Sequence, residues 1–282
     1  MLKKGKVSMR FIYITPFFEE DFFSEVKRGM HDAAAMLGVT AKFTGTHEAD
    51  FSALSDMIKR AVDQGISGLA VSMPRSGELD EAVQSAMDKG IPVVSFNIDN
   101  PQSARMACVC QDFYSAGIRL GELIRDRLPA KARVLLTMHD AGVTALDERV
   151  QGIKDAVSAA RSDVVFKTVV TGNTPELAQK TLTAELLAGA EAMLCTGQSD
   201  THGAGLAVRA LPEYRGTVIA GFDVCKEIRQ MVDEGVIDFT IDQQPYVQGF
   251  YPLLMMHQSI VHGVKPFDID TGCDIIEPCR SR

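Results

Sequence analysis

Short apolar runs and amphipathic segments alternate along this chain of 282 residues. The runs RFIYIT (10–15), GLAVS (68–72) and IPVVSFN (91–97) are typical of buried strands. Between them lie segments such as 21–37, in which apolar residues recur every three or four positions, as they do on one face of a helix. This alternation of strand and helix predicts parallel sheets with helices on both faces.

Glycine marks the ends of several predicted helices. The segments MLGVT, DQGIS and DKGIP each place a glycine after a helix and a β-branched residue at the start of the next strand. For the helix 21–37 we predict Asp21 as the N-cap and Gly38 as the C-cap.

The predicted strands number about ten, which is long for one continuous sheet. We therefore predict two similar α/β lobes, each with a sheet of five to six strands. The break falls near CVCQD (108–112), where a strand leads into the helix 113–127. A late strand, FTIDQQP, is followed by the helix 246–263, and the strand-like GCDIIEP ends the chain.

Charge and hydropathy narrow the classes of partner. The formal net charge is −8, whereas a site for nucleic acid needs a basic face. The one basic cluster, KKGK at 3–6, is interpreted as a solvated tail. No apolar window is long enough to span a membrane, and the run 11–18 is too short for a signal peptide. We therefore expect either a cytoplasmic chain or a form from which a leader has been removed.

The six cysteines show no C-x-x-C spacing, which argues against zinc and thioredoxin-like sites. Cys108, Cys110 and Cys195 lie in apolar strand-like runs and are expected to be buried. Cys273 and Cys279 flank a short segment, and a disulfide between them in an oxidising compartment is left open.

Aromatic and polar side chains follow the predicted strands at their carboxyl ends, where open parallel sheets bind ligands. Four phenylalanines lie within PFFEEDFF (16–23), directly after the first strand. Asn97 and Asp223 end later strands, and Arg149 lies in the helix that follows another. Aromatic rings stack on the C–H faces of sugars, and amide, carboxylate and guanidinium groups hydrogen-bond hydroxyls. This set favours a small polyhydroxylated ligand.

Motifs of catalysis are weak. No P-loop is present, and HGAGLAV is only part of a dinucleotide-binding pattern. Ser199, Asp200 and His202 are neighbours in sequence, and a capped helix start explains them better than a catalytic triad. The enzymatic alternative is a sugar-modifying α/β enzyme in which the strand-end pair His139 and Asp140 supplies the base.

Four segments resemble the periplasmic solute-binding proteins of sugar ABC transporters, the ribose-binding-protein-like class, whose ligand lobe recurs in LacI-type repressors. In chain order they are EEDFFSEVKRGMHDAAAMLGV (19–39), GIPVVSFNID (90–99), DERVQGIKDAV (147–157), and GFDV (221–224) followed by GVIDFTIDQQPYVQG (235–249). The resemblance implies a type I periplasmic binding protein fold: two Rossmann-like lobes with parallel sheets, joined by a three-stranded hinge.

Lobe boundaries follow from this resemblance. The N-terminal lobe is expected to comprise 1–111 and 244–271, and the C-terminal lobe 112–243 and 272–282. The chain then crosses between the lobes near Gln111, Gln243 and Thr271, and these crossings are expected to form the hinge.

Ligand-binding residues are also implied, all of them near strand ends or helix starts. They are Phe22, Phe23, Ser72, Asn97, Arg149, Thr174, Ser199, Asp223 and Gln243. Core packing is the alternative for Phe22, because it starts the apolar stripe of the first helix; Phe23 is taken to lie one position off that stripe and to face the ligand. A plain turn is the alternative for Asn97, an exposed ion pair for Arg149 and a helix cap for Asp223.

The implied function is that of the solute-binding component of an ABC importer. A monosaccharide or sugar alcohol would bind in the cleft between the lobes, which close over it, and a membrane permease would receive it. We expect a periplasmic monomer whose signal peptide has been removed, with no catalysis, no metal, no cofactor and no nucleic acid. The alternatives are a cytoplasmic sugar-sensing effector domain of a LacI-like regulator and a sugar-modifying enzyme.

Overall fold

The computed structural model describes residues 9–279. The basic cluster at 3–6 lies outside the described residues, as do residues 280–282. The chain divides into two compact units, each built on a six-stranded sheet with helices packed against it. The first unit comprises the chain up to Cys110 together with Gln244–Thr271, and the second comprises Gln111–Gln243 and the chain from Gly272.

Twelve strands form the two sheets of the described chain. In chain order they are β1 (Arg10–Thr15), β2 (Thr40–Gly45), β3 (Gly68–Val71), β4 (Val93–Phe96), β5 (Ala107–Cys110), β6 (Arg133–Met138), β7 (Val165–Val170), β8 (Ala192–Cys195), β9 (Val218–Phe222), β10 (Phe239–Asp242), β11 (Ile269–Asp270) and β12 (Asp274–Ile276). The helices are α1 (Phe23–Leu37), α2 (Phe51–Asp63), α3 (Asp80–Asp88), α4 (Phe113–Ile124), α5 (Thr144–Ala160), α6 (Pro175–Leu187), α7 (Gln198–Ala210), α8 (Lys226–Asp233) and α9 (Pro245–His262).

The two sheets have corresponding strand orders. The first unit reads β11-β5-β4-β3-β1-β2 and is parallel throughout, and the second reads β12-β10-β9-β8-β6-β7. In the second unit β12 pairs antiparallel with β10, so the expectation of purely parallel sheets is wrong at that edge. The prediction of two α/β lobes is confirmed, because each unit has its own sheet and its own buried apolar cores.

Helix α1 begins later than predicted. Its N-cap is Phe22, which makes no side-chain capping bond, so the prediction of Asp21 as the cap is wrong. Gly38 is confirmed as the C-cap, because it takes the left-handed conformation with φ of 65°. The buried stripe includes Phe23, Val26 and Met30, so Phe23 belongs to the face that packs on the sheet.

Helices α4 and α5 approach each other closely in the second unit, and a glycine permits it. A Cβ on Gly117 would stand 2.3 Å from the backbone oxygen of Arg149 and clash with it. The missing side chain thus lets α5 lie against α4 and sets the position of Arg149.

All six cysteines are free, so the structure contains no disulfide between Cys273 and Cys279. Cys108 and Cys195 are buried as predicted, whereas Cys110 is only partly buried because it ends its strand. None of the helices described over residues 9–279 combines the length and apolar character needed to cross a bilayer.

Candidate functional site

Each sheet has one topological switch point, where neighbouring strands send the chain to opposite faces. In the first unit it lies between β1 and β3, and in the second between β6 and β8. Ligands of open α/β sheets bind beyond the carboxyl ends of strands at such points. Ser72 directly follows β3, His139 follows β6 and Thr196 follows β8, so these residues lie at the carboxyl ends of the strands beside the two switch points.

Asp223 and Gln243 form a buried pair at the carboxyl ends of the strands in the second unit. Asp223 follows β9, is 7% exposed and takes the left-handed conformation with φ of 69°. Its backbone N–H donates to the carbonyl oxygen of Ile241 at 2.8 Å, and its Oδ1 accepts from Nε2 of Gln243 at 2.6 Å. Burial raises the pKa of Asp223, while the nearby charge of Arg149 and the bond from Gln243 oppose that rise. The structure therefore brings together three of the predicted ligand-binding residues.

Arg149 is almost completely buried, at 2% exposure, so the alternative of an exposed ion pair is wrong. Its Nη1 donates to the carbonyl oxygen of Thr196 at 2.8 Å, and its Nη2 donates to Oε1 of Gln111 at 2.6 Å. The guanidinium lies 4.1 Å from the ring centroid of Phe222, which is cation–π geometry. Burial lowers the pKa of Arg149, and the charge of Asp223 opposes this.

Asp200 is a buried carboxyl group that the sequence analysis interpreted only as part of a capped helix start. Its Oδ2 accepts from Oγ1 of Thr137 at 2.5 Å and from the backbone N–H of Thr196 at 2.9 Å. Its Oδ1 is buried without a hydrogen-bond partner among the described residues. Burial raises the pKa of Asp200 to about 7. The one sequence feature that points to it is a carboxylate in the first turn of the helix that follows an apolar strand and a glycine.

Two hydroxyl residues of the predicted set have structural partners in the second unit. Thr174 is exposed and is the N-cap of α6, where its Oγ1 accepts from the N–H of Leu177 at 3.3 Å. Ser199 is partly exposed, and its hydroxyl donates to the carbonyl oxygen of Asn173 at 3.0 Å. Ligand contact by either residue stays a prediction.

In the first unit, Asn97 follows β4 in the left-handed conformation, with φ of 62°. Its N–H donates to the carbonyl oxygen of Val109 at 3.4 Å. Ser72 is buried beyond β3, and its N–H donates to the carbonyl oxygen of Ile14 at 3.0 Å. Asparagine tolerates left-handed backbone better than most residues, so the turn at Asn97 explains part of its identity.

The two predicted phenylalanines have exchanged the positions expected from the sequence, because Phe23 and not Phe22 lies in the buried stripe of α1. Phe23 is 4% exposed, and its ring lies 5.6 Å from that of Phe43 and 6.5 Å from that of Phe96, measured between centroids. Phe22 is partly exposed, with its ring edge-on to Phe23 at 5.1 Å. Of the two rings, Phe22 is therefore the more accessible, and ligand contact by either stays a prediction.

One cluster has the ligand types of a metal site. Ligand atoms of Asp99, Cys108 and Cys110 all lie within 4.8 Å of one another. Both carboxylate oxygens of Asp99 already accept from the guanidinium of Arg105, at 2.5 and 2.7 Å. Since Arg105 neutralises that carboxylate and occupies its oxygens, the donor set fits a structural ion pair better than a metal ion.

The sequence profile of the family described as "Periplasmic binding protein domain" matches residues 11–263. The chain is 27% identical over 285 residues to the Xylose/arabinose-binding protein XylF of Sulfolobus acidocaldarius, with 95% of this chain and 70% of that protein covered. It is 26% identical to the Xylitol-binding protein of Mycolicibacterium smegmatis over 79% of this chain and 64% of that protein. Among solved structures, GanP, a glucose-galactose binding protein from Geobacillus stearothermophilus, matches with a TM-score of 0.84 at 25% identity, covering 96% and 98% of the two chains.

Proposed function

Because the chain belongs to the periplasmic binding protein family, we propose that it is the solute-binding component of an ABC importer for a monosaccharide or a sugar alcohol. Family membership implies a periplasmic or extracellular location, and it makes the chain a binding protein rather than an enzyme. The type I fold expected from the sequence is likewise confirmed by the match to GanP over nearly both full chains.

The buried set of Arg149, Asp223 and Gln243 is the observation that carries this proposal. Placing an arginine and an aspartate at 2% and 7% exposure costs free energy unless partners compensate for the lost water. Among the described residues, Arg149 and Asp223 act on each other through their charges, while their side-chain hydrogen bonds go to other groups. A hydroxyl accepts from a guanidinium and donates to a carboxylate, so a ligand with several hydroxyls satisfies both groups at once.

The relatives narrow the chemistry of the solute. The three similar proteins are named for aldopentoses, a pentitol and aldohexoses. These ligands share a small size, several hydroxyls and no charge, which matches a site whose arginine and aspartate offset each other. The LacI-like sensor and the sugar-modifying enzyme are not favoured, since the named relatives are binding proteins.

The proposal extends to the mode of action. Binding of the solute favours the conformation of the chain in which the largest number of ligand-contacting side chains reach it. The protein acts as a monomer and passes its solute to a membrane permease.

A thermal-shift screen of the purified chain tests the function. The panel holds xylose, arabinose, ribose, allose, glucose, galactose, xylitol and ribitol, and calorimetry follows for each ligand that raises the Tm. We expect at least one of them to raise the Tm in a concentration-dependent way and to be recovered unchanged after prolonged incubation. Failure of the whole panel to shift the Tm or release heat would contradict the proposal, and conversion of the ligand would favour the enzyme.

A further inference from the structure

His139 stands at the switch point of the second unit. It directly follows β6, which lies between β7 and β8 in the sheet. Its Cδ2 lies 3.3 Å from the place where a Cβ on Gly197 would stand, so the imidazole borders the loop that follows β8. Because the switch point lies between β6 and β8, the ligand crevice is expected between the loops that follow these two strands.

The loop beside His139 also carries the anchor of Arg149. Thr196, next to Gly197, accepts the Nη1 bond of Arg149 through its carbonyl oxygen. His139 therefore borders the same short segment that fixes a predicted ligand-binding arginine.

A ring nitrogen of His139 lacks a partner. The side chain is half-buried, and its Nδ1 is buried without a hydrogen bond among residues 9–279. Nε of Arg149 and Oδ1 of Asp200, in the same unit, are also buried and unpartnered. Leaving a buried polar atom unpaired costs free energy, so such atoms call for a specific explanation. Three such unpaired atoms near the carboxyl ends of the strands of one sheet indicate hydrogen-bond partners that the bound ligand supplies.

The charge state of the ring indicates the kind of partner. Burial lowers the pKa of His139, Arg149 acts in the same direction, and Asp140 and Asp223 oppose it. A histidine of lowered pKa is neutral at neutral pH, with one ring nitrogen that donates and one that accepts. A hydroxyl, which also donates and accepts, complements such a ring whichever nitrogen it meets.

We propose that His139 is a ligand-contacting, specificity-determining residue whose imidazole hydrogen-bonds one hydroxyl of the bound monosaccharide or sugar alcohol through a ring nitrogen. This inference rests on the proposed sugar-binding function and deepens it. The enzymatic alternative gave His139 the role of a base; at the switch point it instead selects for a hydroxyl at one position of the solute.

Calorimetry on the full chain tests the inference. The ligand is the sugar or polyol of the screen that raises the Tm most, together with its series of monodeoxy analogues. We expect His139→Leu to lower the affinity about tenfold or more, and His139→Gln, which keeps a donor and an acceptor, to retain part of it. One monodeoxy analogue should bind the unmodified protein more weakly than the parent, yet bind His139→Leu as well as the parent does.

His257 provides a matched control. It is also half-buried, burial also lowers its pKa, and its Nδ1 is also buried without a partner, but it lies on α9 of the first unit rather than at a strand end. His257→Leu should therefore leave the affinity unchanged.

The outcomes separate the two claims. If the unmodified protein binds sugar and His139→Leu binds it equally well, the inference is overturned and the proposed function stands. An equal loss for the parent and every deoxy analogue would assign His139 a merely structural role and would also overturn the inference. If the unmodified protein binds none of the sugars, the proposed function fails first.

Discussion

Arg149 donates from Nη2 to the side-chain amide oxygen of Gln111 at 2.6 Å, inside the second unit. Gln111 is the first residue of that unit after the chain leaves β5. Its Nε2 donates to the carbonyl oxygen of Gly272 at 2.8 Å, where the chain enters the unit for the last time. A predicted ligand-binding arginine is thus tied through one glutamine to two of the places where the chain passes between units.

Replacement of Gln111 by Met should weaken both folding and solute binding. The change keeps the length of the side chain but leaves the Nη2 of Arg149 and the carbonyl oxygen of Gly272 without this partner. Losing hydrogen bonds at buried groups costs about 1–3 kcal/mol each, so urea unfolding should show a loss of that order. Calorimetry with the solute should show an affinity loss of at least severalfold.

Gln151→Met is the control for this change. Gln151 lies on the exposed side of α5 and donates to Asp155 at 2.7 Å. Its replacement should alter neither stability nor affinity appreciably. Unchanged solute affinity in Gln111→Met would show that Gln111 does not position Arg149 for binding.

Asn97 permits a test that separates backbone conformation from ligand contact. Because the backbone of Asn97 is left-handed, Asn97→Ala should destabilise the protein by about 1 kcal/mol, whereas Asn97→Gly should destabilise it much less. Both variants lack the amide, so both should lose solute affinity to a similar extent. Measurements are chemical unfolding and calorimetry on the two proteins. Full affinity in both variants would show that Asn97 forms the turn and does not contact the solute.

The two neighbouring phenylalanines should respond differently to truncation. Phe23→Ala removes a ring packed among Phe43 and Phe96 and should destabilise folding by about 3–5 kcal/mol. Phe22→Ala removes a more accessible ring and should cost less stability, while weakening solute binding by about 1–3 kcal/mol if that ring stacks on the ligand. Equal stabilities for the two variants would contradict this assignment of the core.

Asp200 should make stability fall as pH rises. Its pKa is raised from 3.8 to about 7 in the folded protein, so the folded state binds the proton more tightly than the unfolded chain does. This contribution is present below the unfolded pKa and is lost between about pH 4 and pH 7. Asp200→Asn removes the effect, so the free energy of unfolding of the variant, relative to that of the unmodified protein, should rise by roughly 2–4 kcal/mol from pH 5 to pH 8.

Asp233→Asn is the control for the pH experiment. Asp233 is a surface carboxylate whose pKa is lowered from 3.8, chiefly by its bond from Arg229, so above pH 5 it is ionised in both the folded and the unfolded chain. Its removal should therefore change the stability by about the same amount at pH 5 and at pH 8. Urea titrations at the two pH values measure all three proteins. A pH-independent difference between Asp200→Asn and the unmodified protein would show that Asp200 does not titrate in this range.

Strand and helix positions were largely predictable because they depend on local periodicity. The order of elements from Arg10 to Ile276, the cap at Gly38 and the placement of Asn97 and Asp223 after their strands all follow from patterns a few residues long. The N-cap and the stripe of α1 were misassigned for a related reason. Phe22 and Phe23 both fit a helical repeat with Val26, and only the packing against Phe43 and Phe96 selects Phe23.

Local patterns in the sequence specify the two α/β sheets, their helices and the polar residues at the strand ends, because the hydrophobic period and the turn chemistry are local properties. The tertiary structure alone shows that Arg149 is buried against Phe222 and held by Gln111, that Gln243 bonds Asp223, and that burial raises the pKa of Asp200 to about 7. The contacts behind these findings join residues that lie about 20 or more positions apart in the chain. Burial and hydrogen bonding between such residues depend on how the strands order themselves in the sheet, which no local pattern specifies.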